Sequence, residues 1–392
     1  MRFENHKISI MNKFCFFVVV FFVNILSFSV LAQSRIITIH TKDNQVIERY
    51  VADVDSITFR TGTIIAEQMP YTPTFKYTNI TDGAWDDFQV CNGKLYTTGT
   101  LYGIMTYQDG NWVDAPNIPG WGSPIIREYN NKIYVTCETQ IYVGREDGTV
   151  YDLIFWNGDM AGVLGGTANA FFAGAGTNNA GIFKFNGQSF DCVYENGTWY
   201  SLKIAGENVF FGAGATHAQN KNSGVVYWSQ SENRICETNL NIGVYNVEYY
   251  NGIVFAAGYT DAGVHGTYRF NGSSFDKISE MSGMLKATGN ALYFLNASVV
   301  YKYNNVTKAF DVFHTNEAGN IYTEIEEYDG FLYLFGSTYV EAFHAGTNTW
   351  LQVEMDAPTV SVSIAKSTPS GLFVSNANNL NGAIRKMIPK ND

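Results

Sequence analysis

The sequence predicts an all-β fold, a β-propeller of eight four-stranded blades, with seven as the alternative count. The first observation behind this is a short apolar stretch ending in an aromatic residue. It recurs at Tyr96, Tyr134, Phe172, Phe210, Phe255, Tyr293, Tyr333 and Phe373, at intervals of 38, 38, 38, 45, 38, 40 and 40 residues. A period near 40 filled with strand-forming residues is that of a propeller blade. The second observation is composition. Aromatic residues reach 15% while charged residues are only 16%, a balance that suits sheets packed through rings and argues against disorder. The third is that the last repeat stops one strand short, while an unassigned strand-like stretch, residues 72–79, precedes the first.

Residues 1–32 read as an export signal. Residues 14–31 are almost wholly apolar, Lys13 precedes them, and small residues lead to a cleavage point after Ala32. Met11 is an alternative start, since Met11-Asn12-Lys13 makes a more ordinary positive n-region. No other stretch approaches the ~18 apolar residues of a membrane span. Residues 33–71 are expected to form a small separate element. Residues 36–40 and 46–51 read as a hairpin around the turn 41–45, followed by Val51-Ala-Asp-Val-Asp-Ser-Ile-Thr-Phe59. This stretch resembles a short N-terminal element common in proteins exported by Bacteroidota. Asp53 and Asp55 alternate on one strand face, read as a solvated face rather than a calcium site.

Residues 72–392 hold the propeller. Innermost strands are expected at 84–90, 123–129, 161–167, 199–205, 244–250, 282–288, 321–328 and 361–367. Turns such as Asn92-Gly93, Asn251-Gly252 and Asp329-Gly330 follow; they tolerate positive φ and so permit tight hairpins. The second strand carries the aromatic anchor. The third shows the clearest internal echo, Gly181-Ile-Phe-Lys-Phe-Asn-Gly187 against Gly266-Thr-Tyr-Arg-Phe-Asn-Gly272. The outermost opens with a second aromatic residue: Trp112, Tyr151, Phe190, Phe275, Phe310 or Trp350. Burying each ring between blades contributes about 1.5–3 kcal/mol. Residues 72–79, with Phe75 in the place of an outer-strand aromatic, are expected to supply the outermost strand of the last blade and so close the ring.

The glycines just after the second strand (Gly99, Gly174, Gly212, Gly258 and Gly336) and the outer-strand aromatics make residues 72–392 resemble the Kelch-type propellers, including the central domain of galactose-oxidase-like proteins. That resemblance implies the propeller fold. The copper-oxidase chemistry does not come with it, because no Tyr–Cys–His set is recognisable.

Charge and cysteine content narrow the function. Removing residues 1–32 takes away Arg2, Lys7, Lys13 and Glu4, so the formal charge moves from −11 to −13. An acidic surface without a basic cluster argues against nucleic acid, anionic lipid and tightly bound polyanions. Cys91, Cys137, Cys192 and Cys236 fall in four different repeats without metal-ligand spacing, and are read as unpaired thiols. No metal or cofactor is expected.

Two irregularities fall on the face where inner strands begin and where loops join second to third strands. Trp85, Trp121, Trp156 and Trp199 stand at or just before the first four inner strands, with Tyr322 a possible analogue in the seventh. Indole faces stack on the C–H faces of sugars; the alternative is that these rings brace neighbouring blades. The second-to-third-strand loops of blades three, four and five are also longer. They carry Asn178, Asn179, His217, Gln219, Asn220, Asp261 and His265, whose amide and imidazole groups suit sugar hydroxyls; tolerated loop drift is the alternative. A glycosidase would need two facing carboxyl groups. Asp86, Asp87, Asp159 and Glu195 supply candidates, but no spacing singles out a pair. The primary expectation is therefore an exported, non-catalytic propeller that binds a glycan or cell-surface polymer through an aromatic face. A protein-interaction platform in an envelope complex is the second reading, and a polysaccharide hydrolase or lyase the third.

Overall fold

The computed structural model describes residues 36–40, 46–50 and most of 69–390; segments such as 116–123, 177–179, 215–223, 261–262, 356–361 and 376–382 lie outside it. Among the described residues all regular structure is β-strand. The chain divides into two compact units, Met1–Ile65 and Ala66–Asp392. In the first, Ile36–His40 pairs antiparallel with Val46–Tyr50, as the alternating apolar residues on either side of the turn predict.

The second unit is a propeller-like arrangement of largely antiparallel sheets, six of four strands and one of eight whose two halves serve as the seventh and eighth sheets of the cycle. Within each four-stranded sheet, strands consecutive in the chain lie side by side. The inner strands are Trp85–Cys91, Ile126–Tyr129, Ala161–Thr167, Trp199–Ala205, Gly243–Tyr250, Met284–Thr288, Tyr322–Tyr328 and Ile364–Thr368. Each touches the inner strand of the next sheet, and Ile364–Thr368 touches Trp85–Cys91, which closes the cycle. All eight aromatic anchors fall on second strands, from Lys94–Gly99 to Gly371–Ser375. Asn92, Asn251 and Asp329 adopt positive φ in the inner hairpins, the conformation for which their small polar side chains are suited.

The eight-stranded sheet explains the missing strand. Its first half runs from Tyr322–Tyr328 to Thr349–Met355; its second half contains Ile364–Thr368, Gly371–Ser375 and Arg385–Lys390. The N-terminal strand Thr72–Tyr77 completes that second half by pairing antiparallel with Arg385–Lys390 along its full length. Among the described residues two pairs, Thr74 with Glu354 and Phe75 with Met355, join the halves, in parallel. Phe75 is fully buried among Phe331, Tyr333, Phe335 and Met387.

Packing between sheets follows the anchors. Phe172 meets Phe211 and Trp228 of the next sheet at 5.5 and 5.3 Å between ring centroids, and Phe373 meets Trp112 of the first at 5.5 Å across the closure. The glycines after the second strand have a steric reason where neighbouring side chains approach. A Cβ on Gly174 would sit 2.6 Å from Val163 and 2.9 Å from Trp199; one on Gly212 would sit 2.9 Å from Val244. Opposite the anchors, the inner strands of the fourth to eighth sheets carry Lys203, Glu248, Lys286, Glu326 and Lys366, an alternation of sign around the ring. Lys203 pairs with Glu248, and Lys286 with Glu324 at 3.0 Å and Glu326 at 3.3 Å. Cys91, Cys192 and Cys236 are free thiols.

Candidate functional site

The face where inner strands begin is built around a repeated irregularity. In the first, third, fourth, fifth and seventh sheets the register between inner and second strand shifts by one residue at the start, between Trp85 and Asp87, Ala161 and Val163, Trp199 and Ser201, Val244 and Asn246, and Tyr322 and Glu324. Each shift is a β-bulge, an extra residue that re-aims a side chain. Trp85, Trp199, Val244 and Tyr322, each just before its bulge, are buried. The residue in it, Tyr200 or Tyr245 in the fourth and fifth sheets, is 50% exposed.

For Trp85 and Trp199 this corrects the stacking expectation in favour of the bracing alternative. Trp85 is 2% exposed and packs with Phe88, Trp112 and Phe373 where the first and last sheets meet. Trp199 is 1% exposed and packs with Tyr194 and Phe211 at 5.9 and 6.3 Å. Both indoles brace sheets, and neither offers a face to a sugar. Trp156 stands at the end of the outermost strand Tyr151–Trp156 of the second sheet, opposite Gln140. Trp121, Asn178, Asn179, His217, Gln219, Asn220 and Asp261 lie outside the described residues. His265 begins the third strand His265–Phe270 of the fifth sheet and is exposed.

The aromatic rim that results is made of tyrosine. The ring of Tyr200 lies over Gly162 of the third sheet and over Gly214: a Cβ on either would be 3.7 or 2.3 Å from a ring carbon. Tyr245 packs on Tyr259 at 5.0 Å, and Tyr259 approaches His265 at 6.1 Å. Val264, Met284 and Ile321 are exposed at the same ends of their sheets. On the opposite face, a cavity of about 490 Å³ between the fourth and fifth sheets is lined by Asn208, Phe210, Tyr249, Ile253 and Phe270 among others.

Tyr322, the expected analogue in the seventh sheet, is buried and belongs to a polar joint. One oxygen of Glu341, Oε2, receives the Tyr322 hydroxyl, Nδ2 of Asn316 at 3.3 Å and Nε2 of His314 at 3.2 Å. His314 stacks on Trp350 at 3.8 Å. Burial alone would push the Glu341 carboxyl up. His314, Tyr322 and Asn316 reverse that and hold it below the ordinary 4.5. The Tyr322 hydroxyl is pushed far up by burial and by Glu341, so it stays protonated and serves as a donor rather than a base. Asp87, one of the candidate hydrolytic carboxylates, is ion-paired to Arg127 at 2.7 Å.

A further charged group was not visible as a site in the sequence. Arg385, at the start of the third strand of the last sheet, is 2% exposed. Its guanidinium carbon lies 4.4 Å from the ring centre of Tyr77, and Nη2 donates to the Tyr77 hydroxyl at 3.0 Å. Its Nε has no partner. Burying an unpaired ion costs several kcal/mol. A desolvated cation–π contact returns about 2 kcal/mol, and a hydrogen bond from a charged donor about 1.5–3 kcal/mol.

No protein-family model and no curated protein matches the chain. Solved structures match its fold. The computationally designed Ika8 protein aligns over 80% of this chain and 99% of its own, with a TM-score of 0.60 and 9% identity. Sqt1 of Saccharomyces cerevisiae aligns over 82% of this chain and all of its own, with a TM-score of 0.53 and 11% identity. The extracellular domain of the putative one-component system BT4673 from B. thetaiotaomicron aligns over 82% of this chain and 40% of that one, with a TM-score of 0.52 and 11% identity. At such identities the likeness is one of fold. Among the described residues no helix is long and apolar enough to cross a membrane.

Proposed function

We propose that the chain is an exported, non-catalytic, eight-bladed propeller of Kelch-like kind that binds a glycan or cell-surface polymer across its tyrosine rim. The observation carrying this reading is that two adjacent sheets each use a bulge to hold a half-exposed tyrosine, Tyr200 and Tyr245, on the same rim. A phenol offers a flat apolar face for sugar C–H groups and a hydroxyl at its edge. Tyr259 and His265 extend the surface, and the loops bearing Asn178, Asn179, His217, Gln219 and Asp261 belong to the same proposed site, together with Trp121. The formal charge of −11 favours a neutral chain over a polyanion. Export after residue 32 and a boundary near residue 71 are part of this proposal.

A glycan array probed with the purified protein tests it. Binding should fall about tenfold or more in Tyr200→Ala and Tyr245→Ala, with no product released from the bound polymer. Product release would instead promote the hydrolase or lyase reading. Exposed Val264, Met284 and Ile321 on the same face support the second reading, an envelope-protein partner; silence across a broad array would favour it.

A further inference from the structure

Arg385 is a permanent cation inside the molecule, and among the described residues no carboxylate pairs with it. Its sheet position makes this a built feature. The backbone of Arg385 pairs with Val374 on one side and Tyr77 on the other, which fixes the face of the sheet from which its side chain leaves. Val374 and Met387, which flank it on its own face of the sheet, belong to an apolar core and offer it no hydrogen bond. The Nε–H is unpartnered, and the adjacent Nη2–H is held by a phenol. These two N–H groups form the edge of the guanidinium that a carboxylate grips with both oxygens.

We infer that Arg385 and Tyr77 form a receptor for a single carboxylate group, carried by a small ligand such as an acidic sugar. The carboxylate takes Nε and replaces the phenol on Nη2. Tyr77, 38% exposed at the end of the clasp strand, is the side chain that moves aside, and its ring remains available to pack on the ligand. The net charge of −11 excludes a dense polyanion at such a site but not one carboxylate whose charge is cancelled on binding. The inference concerns a different sheet from the tyrosine rim and stands or falls independently of glycan binding there.

Thermal unfolding of the full protein with glucuronate, against equal concentrations of glucose and of sodium chloride, tests this. Glucuronate is expected to raise Tm in a saturable way, and glucose and chloride are not. Arg385→Met should fold, melt at or above the wild type by up to about 2–4 °C because an unpaired buried charge is removed, and lose the glucuronate response. Three results would overturn the inference: no glucuronate response in the wild type, an equal response in Arg385→Met, or a variant that melts well below the wild type. The last would mean that the cation is a structural group already satisfied.

Discussion

Tyr200 rests on two glycines whose missing side chains serve different ends. At Gly214 an added Cβ meets the edge of the Tyr200 ring at 2.3 Å, and that ring is half in solvent and free to move. Gly214→Ala should therefore shift the ring off the rim with little change in stability, within about 0.5 kcal/mol, while weakening any ligand that stacks there. At Gly162 the added Cβ meets the Trp199 carbonyl oxygen at 2.3 Å. Backbone cannot swing aside, so Gly162→Ala should destabilise by about 1–3 kcal/mol. Urea unfolding of both variants, with binding measured on the same samples, separates the two effects. Equal losses of stability would show that the Tyr200 ring is locked in place. The same residues mark where sequence reading stops. Trp199 and Tyr200 are adjacent aromatics, and which one meets solvent depends on a single extra residue in the strand. A bulge leaves no trace in apolar periodicity, so the sequence alone does not say which ring is exposed.

Between elements, polar side chains join neighbouring sheets at defined places. The Glu341 joint draws His314 and Asn316 from the sixth sheet and Tyr322 and Glu341 from the seventh. Its pH dependence has a definite sign. The folded carboxyl lies below the ordinary 4.5, so the folded state binds fewer protons than the unfolded chain. The stabilisation is complete above that value and is lost as pH falls through the folded one. Glu341→Gln should lower stability at pH 7, and the difference from wild type should shrink towards pH 3; a difference that grew on acidification would refute the assignment. Lys286 behaves differently. Burial pushes its ammonium pKa down, but Glu324 and Glu326 more than reverse this and hold it above its usual value. Burial pushes the Glu324 carboxyl up. Lys286→Met would leave two carboxylates facing each other without a counter-ion, and should cost about 3–5 kcal/mol at neutral pH. Because burial already pushes the Glu324 carboxyl up, acidification to pH 4–5 should recover part of that loss; chemical denaturation at the two pH values decides it. The strands themselves were legible, because apolar alternation and Asn-Gly or Asp-Gly turns act over a few residues. The joints were not, since a lysine on one inner strand meets its glutamates 38 and 40 residues away only once the sheets are stacked.

At the scale of the whole molecule the fold depends on one junction between the two ends of the ring. Its location was readable in advance: a last repeat lacking its outer strand and a spare strand carrying Phe75 have one economical solution. Among the described residues Thr72–Tyr77 pairs along its length with Arg385–Lys390 and with Thr349–Met355 at two residues, and the side chain of Phe75 adds packing against the seventh sheet. Phe75 contacts Tyr333 and Phe335 at 5.9 and 5.8 Å and is fully buried. Phe75→Ala should cost about 3–5 kcal/mol. A core truncation elsewhere, such as Phe255→Ala, should cost a similar amount, but the two should differ in consequence. Loss of Phe75 loosens the strand that covers Arg385–Lys390 and leaves a long unpaired sheet edge whenever it detaches. Such edges recruit other chains. Light scattering during mild heating should therefore show self-association of Phe75→Ala below its unfolding midpoint. Phe255→Ala should remain monomeric up to its own midpoint. Matching behaviour of the two variants would mean that the N-terminal strand is held by its backbone ladder alone and that closure does not hinge on Phe75.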